Sequence, residues 1–210
     1  TVMRGSFLRD SQNSAARFGE LSSQLDLVQQ ETDEALKGYV NSMNTIFKQL
    51  AAVNVQMTKQ KSAAMQPADL LDQRDLLLKD LSSYAHINTG FAENGAVTVS
   101  LGPSLTRDVA VDGVKFFMLG TNFNSAAPEK VSLVLDPYGN ATPLTGLTGG
   151  RLAGIMSFRE QVLGSTRNAL DFIATTVVRE VNTIHREGID GYGEPAGDLF
   201  AIDASASSAS

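Results

Sequence analysis

Apolar residues recur along the first third of the chain in alternating steps of three and four. The run is unbroken over seven positions: Leu36, Tyr39, Met43, Ile46, Leu50, Val53 and Met57. This spacing places the side chains on one stripe of an α-helix. The pattern continues towards the N-terminus, in a slightly different register, at Phe18, Leu21, Leu25 and Val28.

No proline interrupts Arg9–Lys61, which predicts a single helix of about 45–50 residues and therefore about 70–75 Å. We expect residues 1–8 to be a frayed lead-in and Asp10 or Ser11 to be the N-cap, because short polar side chains accept hydrogen bonds from unpaired N–H groups. A helix this long cannot form the core of a compact globule. We therefore expect it to lie against other long helices or against another chain.

A second helix is predicted after a break at 61–67. Pro67 is expected at its first position, where the missing N–H group has no cost. Asp75 and Lys79 are spaced for an ion pair worth about 0.2–0.5 kcal/mol. The short connection predicts that this helix folds back antiparallel to the first. Its expected buried positions are Leu70, Leu71, Leu77, Leu78, Leu81 and Tyr84.

From His86 the apolar period changes from 3.6 to 2, which predicts strands. The first hairpin pairs Ile87–Phe91 with Val97–Leu101 across Asn94-Gly95, a sequence that suits a tight turn. A second hairpin is predicted from Val109 to Leu119 across Asp112-Gly113. Lys130–Leu135 is a further strand, and Ala141–Leu144 could pair with it after the turn at 136–140.

A third helix is predicted from Arg151 to about Glu187. A seven-residue repeat marks its apolar stripe: Met156, Leu163, Leu170, Val177 and Ile184, flanked by Leu152, Ile173 and Val181. The predicted fold class is α+β, mainly α: an elongated bundle of long antiparallel helices with a small antiparallel β subdomain inserted between helices 2 and 3. The predicted domains are a helical rod (1–86 and 145–200), the β subdomain (87–144) and a disordered or truncated tail (201–210).

Composition narrows the classes of function. The net charge of −6 and the scattered Lys and Arg residues argue against nucleic-acid binding. The chain has no cysteine, which excludes disulfides, cysteine-ligated zinc and thiol catalysis. No apolar run approaches the about 20 residues of a membrane span. The start at Thr1 has no signal-peptide pattern, and we expect the chain to be a fragment of a longer protein.

Candidate chemistry is sparse, and we expect no catalytic, cofactor or metal residues. Gly191-Tyr192-Gly193 lacks the third glycine of a dinucleotide fingerprint and follows a helix. Asp190, Glu194 and Asp198 match calcium-loop spacing poorly. His86 and His185 are the two histidines, and the expected role of His185 is favourable interaction with a helix C-terminus.

The three aspartates of the second helix, Asp69, Asp72 and Asp75, could suggest paired carboxylates for acid–base chemistry. Arg74 and Lys79 lie close to them in sequence, and the leucines fall on the other face. We therefore interpret the aspartates as a charged outer face.

Several segments, in this order and approximate spacing, resemble the first hook-associated protein family of bacterial flagella. The resemblance covers nearly the whole chain and rests on Ala16–Phe18, Leu21–Leu25, Asp69–Asp75 (DLLDQRD), Leu81–Tyr84, Leu147–Ile155 (LTGGRLAGI), Phe158-Arg159, Val181–Asp190 (VNTIHREGID) and Pro195–Phe200 (PAGDLF).

The resemblance implies a non-enzymatic axial protein that joins hook and filament and is exported through the flagellar type III apparatus to an extracellular location. It implies packing with other copies in a ring, contact with hook protein and adjacent hook-associated or filament-side proteins, and an export chaperone. It implies neither nucleic acid nor membrane as a partner, and no active site. The terminal helices of that family would be missing here, so the chain is expected to be its middle and outer region.

Three alternatives remain at this point. One is another axial protein, such as a flagellin or a distal hook-associated protein. Another is a hydrolase or metal enzyme that uses His86, His185 and nearby carboxylates. The last is a coiled-coil signalling adaptor, which would need long dimeric helices without a β insert.

Overall fold

The computed structural model describes residues 2–124, 127, 130–189 and 192–201. Its helices are α1 (Val2–Met57), α2 (Ala68–Tyr84), α3 (Gly150–Ser157) and α4 (Gly164–Arg186), with a short 3₁₀ turn at Ala63–Met65 and a π-helical turn at Phe158–Leu163. The strands are β1 (Ile87–Phe91), β2 (Val97–Leu101), β3 (Val109–Asp112), β4 (Lys115–Phe116), β5 (Leu119–Phe123), β6 (Val131–Leu135) and β7 (Thr142–Pro143). The α+β class, mainly α with strands between helices 2 and 3, is confirmed.

The described residues group into two compact units. Unit 1 comprises those within Thr1–Gln30 and Glu160–Ser210, and unit 2 comprises those within Glu31–Arg159. The predicted division into a rod (1–86 and 145–200), a β subdomain (87–144) and a tail (201–210) stays a prediction. Positions 202–210 of that tail lie outside the described residues.

The first helix is longer than the sequence pattern predicts. It runs over 56 residues from Val2, so Asp10 and Ser11 lie inside it and are not its N-cap. The backbone carbonyl of Asp10 accepts a hydrogen bond from the Ser14 hydroxyl at 2.8 Å. Residues 2–9 contain no proline, and the single Gly5 is tolerated inside a helix at modest cost.

The apolar stripe of α1 is buried in unit 2, but against strands as well as helices. Leu36, Met43 and Leu50 are fully buried in one cluster with Leu81 of α2 and Leu152 of α3. The same cluster contains residues from four strands, β2, β3, β5 and β6: Val97, Val99, Leu101, Ala110, Val111, Leu119, Leu133 and Leu135. The expectation that this stripe lies against long helices or another chain is therefore wrong here, because the apolar faces of the strands cover it.

The strands form two antiparallel sheets, ordered β1-β2-β3-β4 and β5-β6-β7. The first hairpin has the predicted bounds and register, with Phe91 opposite Val97. Gly95 in its turn adopts φ +84°, a conformation that glycine takes without strain. The predicted segment Val114–Leu119 is split: Lys115–Phe116 pairs with β3, and Leu119 begins the second sheet. β7 pairs with β6, as predicted.

Two asparagines of α1 fix one strand in each sheet. The Asn54 amide donates to the carbonyl of Val97 at 2.7 Å and accepts from its N–H at 2.8 Å. It also donates to the carbonyl of Gly113 at 2.6 Å. Asn44 makes the same two-sided contact with Leu119, at 2.9 and 2.7 Å. Each side chain replaces backbone partners that a strand end would otherwise lack.

Replacing Asn54 with alanine is expected to lower the free energy of unfolding by about 3 kcal/mol, because it leaves buried backbone groups unpaired. Asn54 is fully buried, whereas Asn41, on an exposed face of the same helix, provides the control. Asn41→Ala is expected to change stability by less than about 0.5 kcal/mol. Urea denaturation of both variants measures the difference, and equal midpoints would contradict the assigned role of Asn54.

Helix α2 is attached to the first hairpin by Arg74. This arginine donates to the carbonyl of Gly95 at 2.8 Å, lies 4.7 Å from the centre of the Phe91 ring and pairs with Asp75 at 2.7 Å. Asp75 thus pairs with a neighbouring arginine rather than as the predicted partner of Lys79. Pro67 is the N-cap rather than the first helical residue. Leu70 and Leu81 are buried as predicted, and the other four stripe positions are half-buried.

The predicted third helix is interrupted. Its residues form α3 and α4 separated by the π-helical turn, in which Arg159 is fully buried. Within unit 2, Arg159 pairs with Asp33, donates to the Thr32 hydroxyl at 2.6 Å and lies 5.9 Å from the centre of the Phe123 ring. These contacts satisfy a charge that would be costly to bury alone.

Candidate assembly surface

Helix α4 carries an exposed apolar stripe in unit 1. Ile173, Val177 and Ile184 lie four and seven residues apart, and they are 51%, 37% and 69% exposed. We call these three residues the α4 stripe. Phe172, which is 72% exposed, lies beside it. Positions at this spacing share one face of a helix, so the stripe is a continuous apolar surface.

The exposure of this stripe corrects the predicted heptad. Leu163 is buried and Leu170 half-buried, as the repeat predicts, but Val177 and Ile184 are exposed. A seven-residue repeat drifts by about 20° per heptad on a straight α-helix. The π-helical turn adds a further rotation between Met156 and the later positions, so the five residues do not share one buried face.

Unit 1 holds the end of α4 in a fixed arrangement. Asn182 is 5% exposed. Its side chain donates to the carbonyl of Phe200 at 2.8 Å and accepts from the N–H groups of Leu199 and Phe200 at 2.9 and 3.0 Å. Arg186 pairs with Asp198. The residues of the third family landmark therefore form one hydrogen-bonded cluster beside the stripe.

A shallow apolar groove lies at the same end of unit 1. It has a volume of about 450 Å³, and its walls come from the start of α1, the end of α4 and the segment after it. Its lining includes Phe7, Val181, Ile184, Ile189 and Ala196, with Arg4 and His185 as polar members. Ile184 belongs to both the stripe and the groove, which makes the two surfaces continuous.

The cations of unit 1 are also unusual. All seven lysines of the sequence lie between Lys37 and Lys130, so the stretches 1–30 and 160–210 carry arginine only. Interface cores are enriched in arginine and depleted in lysine, because arginine is more weakly hydrated and makes several directed hydrogen bonds. This sequence signal, together with the exposed Phe172, could have indicated the assembly surface without a structure.

The two histidines occupy separate units. His86 in unit 2 is exposed, and its backbone N–H donates to the carbonyl of Thr148 at 2.8 Å. The Nδ1 atom of His185 in unit 1 lies 2.6 Å from the carbonyl oxygen of Gly197. Each histidine thus has a contact that explains it structurally.

The acidic candidates are dispersed in the same way. Asp69 and Asp72 are exposed on α2, and Asp198 pairs with Arg186. Asp190 and Gly191 lie outside the described residues. Within 2–124, 127, 130–189 and 192–201, no three His, Cys, Asp or Glu side chains are grouped to hold a metal ion. None of the described helices is long and apolar enough to cross a membrane.

The family model for the helical domain of the flagellar hook-associated protein FlgK matches residues 1–200. The chain belongs to the FlgK family. Flagellar hook-associated protein 1 of Escherichia coli K12 is 33% identical over 175 residues, and that of Bacillus subtilis 168 is 26% identical over 215 residues. The matches cover 80% and 91% of this chain but 31% and 42% of those proteins. The chain therefore spans about a third of the length of these FlgK relatives.

A solved FlgK structure has the same fold. The flagellar hook junction protein FlgK from Burkholderia pseudomallei superposes with a TM-score of 0.81 at 28% identity, over 94% of this chain and 36% of that one. The FlgK resemblance stated from sequence motifs is confirmed. The adaptor alternative is wrong, because seven strands lie between α2 and α3.

Proposed function

We propose that this chain is a structural, non-enzymatic part of a flagellar hook-associated protein that joins hook and filament. The observation that carries the proposal is the α4 stripe, an apolar surface on a helix that unit 1 leaves exposed. Apolar stripes at helical spacing bury their surface by packing against another helix. In this proposal, the stripe and the adjoining groove pack subunit on subunit.

The proposed partners follow from this role. They are other copies of the same protein in a ring, the hook protein, and adjacent hook-associated or filament-side proteins. Export through the flagellar type III apparatus to the extracellular flagellum, with an export chaperone, is part of the proposal. The absence of cysteine supports it, because such a protein would need no oxidative folding after export.

Complementation tests the proposed function. A strain that lacks its own hook-associated protein 1 receives the full-length protein containing this chain, and filaments on hooks are counted by electron microscopy. We expect filaments and swimming to return. Complete hooks without filaments, in cells that export the protein, would contradict a junction role.

The stripe itself is tested by the double substitution Ile173→Gln and Ile184→Gln. Glutamine keeps helix propensity but removes the apolar surface, so we expect normal folding and export with most cells lacking filaments. The control is Val55→Gln with Leu76→Gln, at helical positions of unit 2 that are 47% and 58% exposed. Equal filament counts for the two double variants would exclude the stripe as an assembly contact.

A further inference from the structure

The π-helical turn lies between two arginines that both pair with α1. Arg159, at its beginning, pairs with Asp33 and donates to Thr32 at 2.6 Å. Arg167, in the first turns of α4, donates to Asp26 at 2.6 Å and to Gln29 at 3.3 Å. The turn is thus held on both sides by contacts with the same helix.

The spacing of these pairs accounts for the turn. Asp26 and Asp33 are seven residues apart and share one face of α1, whereas Arg159 and Arg167 are eight residues apart. In an uninterrupted α-helix, the two arginines would point about 80° apart. A π-helical turn absorbs one additional residue. It therefore brings both arginines to the side of the helix that faces the aspartates.

The turn also decides which face of α4 packs inside unit 1. Leu170, Ala174 and Val178 are half-buried, as is His185. Each residue of the α4 stripe precedes one of these positions by a single residue: Ile173 before Ala174, Val177 before Val178 and Ile184 before His185. The buried and exposed rows of α4 are therefore one residue, or about 100°, apart.

We propose that α4 has a second packing register against the Val2–Gln30 part of α1, reached when the π-helical turn becomes α-helical. Removing the extra residue from the turn rotates all later residues forward by about 100°. Ile173, Val177 and Ile184 then occupy the places of Ala174, Val178 and His185. The register would decide whether the stripe is available for assembly; this consequence rests on the proposed function, but the register does not.

Both rows can pack, because the second one is at least as apolar as the first. The two arginine pairs select the observed register. The Asp26 side chain is 64% exposed, and exposed ion pairs contribute little to stability. The selection by Arg167 is therefore weak and reversible, as a switch requires.

Thiol labelling measures the register directly, because the chain has no cysteine of its own. Ile173→Cys and Ala174→Cys are made separately, and labelling rates are compared on dilute, monomeric protein with native circular dichroism. In the observed register, the thiol at 173 should react several-fold faster than that at 174. Deleting Gln161, an exposed residue of the turn, should reverse this order.

A second variant makes the test independent of the deletion. Arg167→Gln removes one selecting pair and should lower the ratio of the two rates, whereas Arg179→Gln should not, because Arg179 pairs with the adjacent Glu180. A folded deletion variant that keeps the original order would overturn the proposal. If that variant does not fold, an unchanged ratio in Arg167→Gln overturns it. Neither result depends on filament assembly.

Discussion

Replacing Leu50 with aspartate is expected to unfold unit 2. Leu50 is fully buried in the cluster that joins α1 to α2, α3 and both sheets. The substitution removes a large apolar contact, which costs about 2–5 kcal/mol for leucine to alanine, and adds a buried charge without a partner. The sum approaches the whole stability of a typical domain. Circular dichroism and thermal melting measure the loss.

Val55→Asp is the matched control for this prediction. Val55 lies five residues later on the same helix and is 47% exposed, so its carboxylate remains in water. We expect its stability to change by less than about 1 kcal/mol, mainly through lower helix propensity. Cooperative melting of Leu50→Asp near the temperature of Val55→Asp would mean that Leu50 is not in a core.

Replacing Gly150 with alanine is expected to have the second largest effect. Gly150 begins α3 at φ +67°, where a Cβ would lie 2.4 Å from the backbone carbon of Tyr84 and 2.5 Å from the nitrogen of Ala85. The positive φ alone costs about 1–2 kcal/mol for alanine. The clash adds to this cost because backbone atoms at the end of α2 must move. We expect a total loss above about 3 kcal/mol, measured by urea denaturation.

Gly154→Ala provides the control within the same helix. Gly154 has an ordinary helical conformation and no atom within 4 Å of the position of an added Cβ. Alanine is therefore expected to stabilise the protein slightly, by about 0.5–1 kcal/mol. If both variants lost similar stability, the close approach of α3 to the end of α2 would not be the cause.

Local rules predict much of this fold. Alternation and an Asn-Gly turn predict β1 and β2 to the residue, and steps of three and four predict the buried positions of α1 from Leu36 to Met57. The motifs at Asp69–Asp75 and Gly149–Arg159 predict the family. These signals are local because turn geometry and helix periodicity depend on neighbouring residues alone.

The remainder depends on distant partners. The covering of the α1 stripe by strands involves contacts such as that between Asn54 and Val97, 43 positions apart. Asn54 itself follows the three-four spacing of Leu50 and Met57, and a buried asparagine within an apolar row could have indicated a strand-holding contact. The π-helical turn could not be predicted from periodicity. It depends on matching Arg159 and Arg167 to aspartates more than 120 positions earlier.

The two-piece construction of unit 1 has a consequence for the order of folding. Its two stretches are separated in sequence by all of unit 2, so bringing them together closes a loop of about 130 residues, with an entropic cost near 4 kcal/mol if that loop is unfolded. Unit 2 is continuous in sequence, and its β1–β2 hairpin closes over five residues. The hairpin and its surrounding core can therefore nucleate early, whereas α4 gains its partner last and is the first element to lose it.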